Sequence, residues 1–313
     1  MPIMKPIENI AVIDIGSNTI RLLIGKLEKG LIKRIYTDRA ITRLGQNLAF
    51  TRKLNQNSIE KSIETISKFK VIAEKFKSNL IISIGTSALR DAEDGTLFCG
   101  KVLENTGLRV DILSGEEEAF FTFEGILTNL PYSIHTIFAI DIGGGSTEWI
   151  YSLNNNVFKG SLNIGALKEY YHFFKDNNEK KAIRNFLNFL KELISKKIPK
   201  LKTKTIIATG GTSITLAMID LQISSYIPEI IHGQKISSKN LRKIIEKISS
   251  TPYEIRKNII GILPDRVDII LPGLLILESI VNYVEAETII VSDYGLMEGV
   301  MKNYIKFCYN QKL

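Results

Sequence analysis

The tripeptide Asp-Ile-Gly occurs twice, as Asp14-Ile15-Gly16 and Asp141-Ile142-Gly143, each time between two apolar runs. A chain that repeats apolar run, acidic glycine turn and apolar run must build the same strand-loop-strand unit twice. The surroundings repeat too. Residues 10–14, 19–27 and 31–37 are predicted as three strands in a meander, with a turn at Lys29-Gly30. After a break at Asn129-Leu130-Pro131, residues 136–141, 147–153 and 157–162 are predicted as the same meander, with a turn at Asn154-Asn155-Asn156. A duplication of this size predicts two related domains whose similar loops face one another across a pseudo-twofold cleft.

Between and after the meanders the periodicity alternates. Ile59, Ile63, Ile66, Phe69 and Ala73 recur at helical spacing within residues 57–76, and residues 80–84 return to a buried strand. Helices are predicted at 95–105, 116–127, 166–174, 179–197, after Gly211, at 238–248, at 267–284 and from Gly295. Strands are predicted at 109–113, 205–208 and 288–291, and residues 228–235 read as a polar stretch. The class is therefore α/β throughout.

Composition narrows the function. With 313 residues the chain is comfortable for two cores, since domains usually run about 100 to 200 residues. Its apolar runs are broken long before the roughly 18 residues of a membrane span. No export signal precedes the first strand, so the cytoplasm is the expected compartment. Cys99 and Cys308 lack metal-ligand or redox spacing and read as free thiols. A net charge of +8 favours a polyanion, yet no basic stripe with interleaved aromatics points to nucleic acid. Many lysines, as in residues 191–204, read as a solvated face.

The chemistry gathers at the loops. Glycine permits a tight hairpin whose N–H groups can surround an anion, and Ser17, Asn18, Thr19, Ser146 and Thr147 add donors beside Gly16, Gly143, Gly144 and Gly145. A carboxylate facing bound phosphate repels it unless a divalent cation or an attacking water lies between. Asp14 and Asp141 are thus candidates to hold Mg²⁺ or another divalent cation, largely through water. Gly210-Gly211-Thr212 follows a strand and opens a helix, where backbone donors and the helix dipole favour an anion. Glu116, Glu117 and Glu118 begin a helix, where acidic residues suit the dipole. Spacing does not decide which of the three faces the cleft.

The motifs Asp-Ile-Gly-Ser-Asn-Thr, Gly85-Thr86-Ser87-Ala88-Leu89-Arg90-Asp91-Ala92, Ser114-Gly115-Glu116-Glu117-Glu118-Ala119, Asp-Ile-Gly-Gly-Gly-Ser-Thr-Glu and Gly210-Gly211-Thr212 stand in one order. That order resembles the exopolyphosphatase/guanosine pentaphosphate phosphatase family over residues 10 to 300. The resemblance implies two duplicated actin-like ATPase (ribonuclease H-like) domains with an interdomain cleft, expected at 1–128 and 129–299, with the last helix, 300–313, packing back on the first. It is similar to the short form of the family and lacks the C-terminal helical extension, similar to an HD-type domain, of longer members.

The resemblance further implies that Glu118 orients or deprotonates the attacking water, that Arg90 contacts phosphate, and that Glu148 is a further acidic group near metal and water. An outward-facing strand residue is the plain alternative for Glu148, and a surface charge for Arg90. Arg21 and Arg266 are the basic residues expected to touch a longer polyanion or a guanosine alarmone. His232 and Trp149 read as structural.

The implied activity is Mg²⁺-dependent release of orthophosphate from the end of inorganic polyphosphate, with a homodimer compatible with the sequence. Removal of the 5′-terminal phosphate of guanosine pentaphosphate uses the same chemistry. An alarmone-binding regulator, with guanosine tetraphosphate as ligand, and an ATP-dependent kinase are the other readings; the glutamate run speaks against the kinase.

Overall fold

Strand β1 (Asn9–Ile15) pairs antiparallel with β2 (Thr19–Glu28), which pairs with β3 (Leu31–Ile41). Strand β1 also runs parallel to β4 (Ser78–Gly85), and β4 to β5 (Val110–Ile112), giving the order β3-β2-β1-β4-β5. The computed structural model describes residues 9–28, 31–129, 136–153, 156–175 and 178–310. The turn at Lys29-Gly30, most of the Asn154–Asn156 turn, and Leu130-Pro131 lie outside them.

The second half repeats this topology. Strands β6 (Thr136–Ile142), β7 (Thr147–Leu153) and β8 (Asn156–Leu162) form the meander, and β9 (Thr205–Thr209) and β11 (Thr288–Val291) run parallel to β6. The order is β10-β11-β9-β6-β7-β8, in which the short β10 (Lys235–Ser237) has no counterpart in the first sheet.

Alternation sorts each strand into two faces, and each face finds a different cover. Ala11, Ile13, Ile15, Ile20, Leu22 and Ile24 pack under α2 (Gln56–Lys75) and α4 (Gly95–Thr106). Helix α2 starts where the Asn55 side chain accepts from the Ser58 N–H at 3.2 Å, and it buries the stripe Ile59, Ile66, Phe69 and Ala73. Ile10, Val12, Leu23 and Ile84, on the opposite face, receive α12 (Leu296–Asn310) through Leu296, Val300, Met301 and Ile305.

In the second sheet Ile137, Ala139, Ile150, Ile207 and Ile290 are covered by Phe123 and Ile126 of α5 (Gly115–Ile126). Each buried Ile or Phe among these contributes on the order of 1.5–3 kcal/mol. Thus α5, which follows the first sheet, lies over the second, and α12, which follows the second, lies over the first.

The two helices cross where Gly125 meets Gly299. A Cβ on Gly125 would stand 1.8 Å from the Gly295 carbonyl oxygen, and one on Gly299 1.7 Å from that of Phe121. Only glycine permits this approach.

Several predicted elements shift. The expected helix at 267–284 begins at Ile270 as α11 (Ile270–Tyr283), after a short 3-10 turn at Pro264–Arg266. Starting there puts Pro272 in the first turn, where its missing N–H costs nothing. The expected helix at 166–174 is α6 (Ala166–Glu169) followed by one π turn, Tyr170–Phe174. The polar stretch 228–235 contains α9 (Pro228–Ile231) and the start of β10. Helices α1 (Leu48–Thr51) and α3 (Ser87–Asp91) are additional, whereas α7 (Glu179–Lys197), α8 (Gly210–Leu221) and α10 (Ser238–Ser250) lie where helices are predicted. No helix among the described residues is long and apolar enough to cross a membrane.

Candidate active site

The two glycine turns have the same geometry. The Gly16 N–H donates to the Thr19 carbonyl at 3.1 Å, and the Gly143 N–H to the Ser146 carbonyl at 3.0 Å. They face each other closely, since a Cβ on Gly144 would lie 3.1 Å from the Asn18 nitrogen. The third turn opens α8, with Gly210 at φ +84 and the Asp141 carboxylate tucked where a Cβ would be. The guanidinium of Arg266 covers Gly211 in the same way.

A cavity of about 350 Å³ lies between the halves. Its wall carries Asp14, Gly16, Ser17, Asn18, Thr19, Arg21, Glu118, Asp141, Gly143, Gly144, Ser146, Gly210, Gly211, Thr212 and Arg266. Four of the sequence-selected residues stand elsewhere. Arg90 is behind Glu118, its Nη1 donating to Glu118 Oε2 at 3.1 Å and to the Leu113 carbonyl at 2.8 Å. Glu148 is buried and accepts from Ser161 Oγ at 2.7 Å. Thr147 donates its hydroxyl to the Ile164 carbonyl, and Gly145 lines a second cavity.

Helix placement separates the three glutamates. The Ser114 hydroxyl accepts from the Glu117 N–H at 3.2 Å while the Glu117 carboxylate accepts from the Ser114 N–H at 2.8 Å, a reciprocal capping box. Glu116 is exposed, its carboxylate 3.8 Å from the Lys159 amine. Glu118, one position on, turns under α5 toward the strands and is buried. There α5 lies on the face of β6 and β7 that also presents Asp141 and Glu148, which are cross-strand partners.

Crowding four carboxylates into one cleft has electrostatic consequences. Burial pushes Glu118 well above the usual carboxylate range, the Glu148 charge adds to this, and Arg90 offsets part of it. Burial and the Asp141 charge raise Glu148 in turn, against hydrogen bonds from Ser161 and Ser146. Asp141 is pushed up to about 6 by burial, with Arg21 opposing. Asp14, on the first sheet, differs: its Oδ2 accepts from Arg21 Nε at 2.9 Å and Nη2 at 2.5 Å, while its buried Oδ1 has no partner.

Burial works against charge on Arg21, and the Asp14 and Asp141 carboxylates more than offset it, so its pKa is raised. Arg266 is pushed down to about 10, by burial and then by Arg39, and still stays charged at neutral pH. Among the described residues the Arg266 guanidinium has no ion pair or hydrogen bond, and its fork of donors lines the cavity.

The donor set fits a hard cation. Among the described residues no group of three ligands forms a complete protein cage. Mg²⁺ needs none, because it keeps several waters and takes one or two carboxylates together with phosphate oxygens. The orphaned Asp14 Oδ1 and the Asp141 carboxylate, on opposite walls, suit that role, with Glu148 behind Asp141.

The structure adds residues the sequence reading missed. Arg34 and Arg39 of β3 and Tyr226, Asp293 and Glu298 also line the cavity. Arg34 pairs with Asp293 and with Glu298 at 2.7 Å, joining the two halves, and its guanidinium lies 4.0 Å from the Tyr294 ring centre. A register shift between Ile24 and Gly25 sets Arg34 on the same face as Thr37 and Arg39. Alternation alone would have turned it away. Asp293 is signalled weakly, by Ser292-Asp293-Tyr294-Gly295 after an apolar strand, a third acidic glycine turn.

His232 accepts at Nδ1 from the Asp293 N–H, so its Nε2 carries the proton and donates to the Asn129 carbonyl. Trp149 is buried and stacks on Phe138.

Turns rich in N–H donors, a buried glutamate of raised pKa and an unpaired guanidinium together suit a polyanion. The comparisons give the family. Residues 23–306 match the Ppx/GppA phosphatase family. The chain is 32% identical over 312 residues to a bifunctional 3-dehydroquinate synthase/phosphatase of Fusobacterium nucleatum, covering 93% of this chain and 46% of that protein. It thus spans about half the length of that relative. It is 26% identical over 301 residues to a putative exopolyphosphatase of Haemophilus influenzae, covering 94% of this chain and 91% of the relative.

The crystal structure of the Ppx/GppA family member of Aquifex aeolicus superposes with a TM-score of 0.81 at 30% identity, covering 96% of this chain and 98% of that one. Two sheets of matching topology with an intervening cleft are the two-domain, actin-like architecture of these neighbours. With these turns, these carboxylates and this architecture, the chain belongs to the Ppx/GppA phosphatase family.

Proposed function

We propose that the chain hydrolyses the terminal phosphoanhydride of inorganic polyphosphate and releases orthophosphate. One observation carries the reading: Glu118 is buried yet on the cavity wall, bonded to Arg90 and sharing that wall with both glycine turns. The turns at Gly16–Thr19 and Gly143–Ser146 bind the terminal phosphate through N–H and hydroxyl donors. Glu118 orients a water and accepts its proton as oxygen attacks phosphorus. Its raised pKa makes it a better base than an exposed glutamate. Arg90, behind Glu118, holds the carboxylate in place. Arg266 and Arg39 draw the following phosphates along the cleft.

Asp14 and Asp141, backed by Glu148, would hold Mg²⁺, which when bound screens the carboxylates from phosphate and neutralises charge on its oxygens. Residues 1–128 and 129–299 act as two domains that exchange α5 and α12 as covers, and closure on the substrate brings the turns together.

Glu118→Gln tests the assignment. Phosphate release from long-chain polyphosphate with Mg²⁺ should fall by roughly 10²–10⁴, the usual worth of a positioned base, while polyphosphate binding persists. Near-normal turnover sinks the assignment. A second reading has its own observation: Ile214, Met218, Leu263 and Ile269 give one end of the cavity an apolar wall that bare polyphosphate does not need. A nucleoside-ended substrate such as guanosine pentaphosphate would use it. Phosphate release from both substrates, side by side, separates the two. Binding of guanosine tetraphosphate without turnover of either would favour a regulator.

A further inference from the structure

A second cavity, of about 270 Å³, lies on the far side of the glycine turns, and Ser17, Ser87 and Gly144 line both. The partition is one side chain thick. Ser17 Oγ and Ser87 Oγ share a hydrogen bond at 2.8 Å on the side of the first half, and Gly144 and Gly145 press against them from the second. A Cβ on Gly145 would stand 2.6 Å from Ser17 Oγ and 2.7 Å from Ser87 Oγ, so only glycine lets the halves close this seam.

Among the described residues no hydrogen bond links Ser17 or Ser87 to Gly144 or Gly145. The loops are anchored on their own sides instead, Gly45 N–H to the Ser17 carbonyl at 2.8 Å and the Leu167 and Lys168 N–H groups to the Gly144 carbonyl at 2.9 Å. A small separation of the halves therefore joins the two cavities without breaking any backbone bond.

The rim of the second cavity is solvent-exposed at Ala49, Arg52, Asp91 and Asn163. Its cations are Arg52, paired with Glu93 at 3.0 Å, and Lys168, which makes no ion pair among the described residues and donates to Asn163 Oδ1. Asp91 opposes them. With Arg52 paired to Glu93, Lys168 and Asp91 balance, and a rim of no net charge suits a small anion in passage better than one held tightly.

We propose that this second cavity is the exit for orthophosphate, opened by parting Ser17 and Ser87 from Gly144 and Gly145. The inference rests on the hydrolase reading above. In that reading the cleaved phosphate lies against the partition, while the shortened chain still fills the main cavity toward Arg266. Leaving by the main mouth would require the polymer to dissociate first. A separate door lets orthophosphate depart while the polymer stays, so that cleavage repeats on one chain.

The test uses the whole chain, long-chain polyphosphate and Mg²⁺ in rapid mixing. Bond cleavage is followed by acid quench, and free orthophosphate by a fluorescent phosphate-binding reporter. Ala49→Trp fills the rim and Arg52→Glu reverses its charge; neither residue lines the main cavity. In both, first-turnover cleavage should keep its rate and release should lag it, lowering steady-state turnover by at least about fivefold.

Products should also shift from few, fully degraded chains to many partly shortened ones. Release at the unmodified rate in both variants, with cleavage intact, overturns the exit alone. If Ala49→Trp loses cleavage, Arg52→Glu decides. Absence of cleavage by the unmodified chain overturns the hydrolase reading, and the exit with it.

Discussion

The two hairpins that open the two halves pair in the same register, and differ in charge at one pair. Asp14 stands opposite Arg21 across β1 and β2, whereas Asp141 stands opposite Glu148 across β6 and β7. The same cross-strand position therefore holds a cation in one copy and an acid in the other. Opposite charges across an antiparallel pair attract and like charges repel. The first jaw is thus self-neutralised, and the second carries surplus negative charge that a cation or a proton must answer. In the proposed reading, Glu118, delivered by α5 to the second jaw only, divides binding and chemistry between the two copies.

Removing the cation from the first jaw should have the largest effect. Arg21→Met leaves Asp14 buried beside other carboxylates and should cost about 2–3 kcal/mol by chemical denaturation, less than a fully buried pair because Arg21 is 34% exposed. A loss below about 0.5 kcal/mol, the range of an ordinary surface change, would show that the jaws do not differ in this way.

Relieving the second jaw should do the opposite to stability. Glu148→Gln removes one repelling carboxylate, so the metal-free protein should be as stable or more so. Turnover should drop by about 10–100-fold, as for a residue acting behind a metal ligand. Denaturation and phosphate release measured together would expose the split, and parallel losses would break it.

The same contrast has a pH signature. Carboxylates whose folded pKa is raised bind more protons folded than unfolded, so the stability they lend at low pH is lost as pH rises. For Asp141 the window runs from its ordinary value, 3.8, to about 6, and Glu148 extends it upward. Thermal unfolding of metal-free protein should come at lower temperature at pH 7 than at pH 5, and Mg²⁺ should narrow the gap. Glu148→Gln should shrink it, and Arg21→Met should not.

Two smaller changes sharpen the comparison. Gly145→Ala places a methyl against the Ser17 and Ser87 hydroxyls and should hold the jaws apart, raising KM by about tenfold, or roughly 1.4 kcal/mol, with little loss of global stability. Glu117→Ala removes half of the capping box and should cost about 1 kcal/mol or less, with turnover nearly unchanged. Steady-state kinetics and thermal unfolding check both. A Glu117→Ala defect as severe as that of Glu118→Gln would mean that the wrong glutamate carries the chemistry.

Much of the frame was legible from residues alone. Apolar alternation around Asp14-Ile15-Gly16 and Asp141-Ile142-Gly143 marked both hairpins within a residue or two, because two-residue periodicity and glycine turns are local signals. Less legible was whatever depends on partners. Arg21 reads as a contact for an external polyanion, but Asp14, seven residues away in sequence, occupies it through strand pairing. Arg34 escaped notice because one bulge reverses its side. Short elements such as α9 and β10 carry too few residues to show a period.

The sequence by itself determined the duplication, the glycine turns and the presence of carboxylates beside them, since these follow from local backbone freedom and the spacing of apolar residues. The tertiary structure decided which carboxylate is buried at the cleft and what surrounds it. It does so by laying α5 over the second sheet and α12 over the first, an exchange that turns on Gly125 and Gly299 and on burial of Phe123, Ile126, Val300 and Met301. Burial and proximity set the charge of Glu118, Asp141 and Glu148, and neither exists until distant segments of the chain meet.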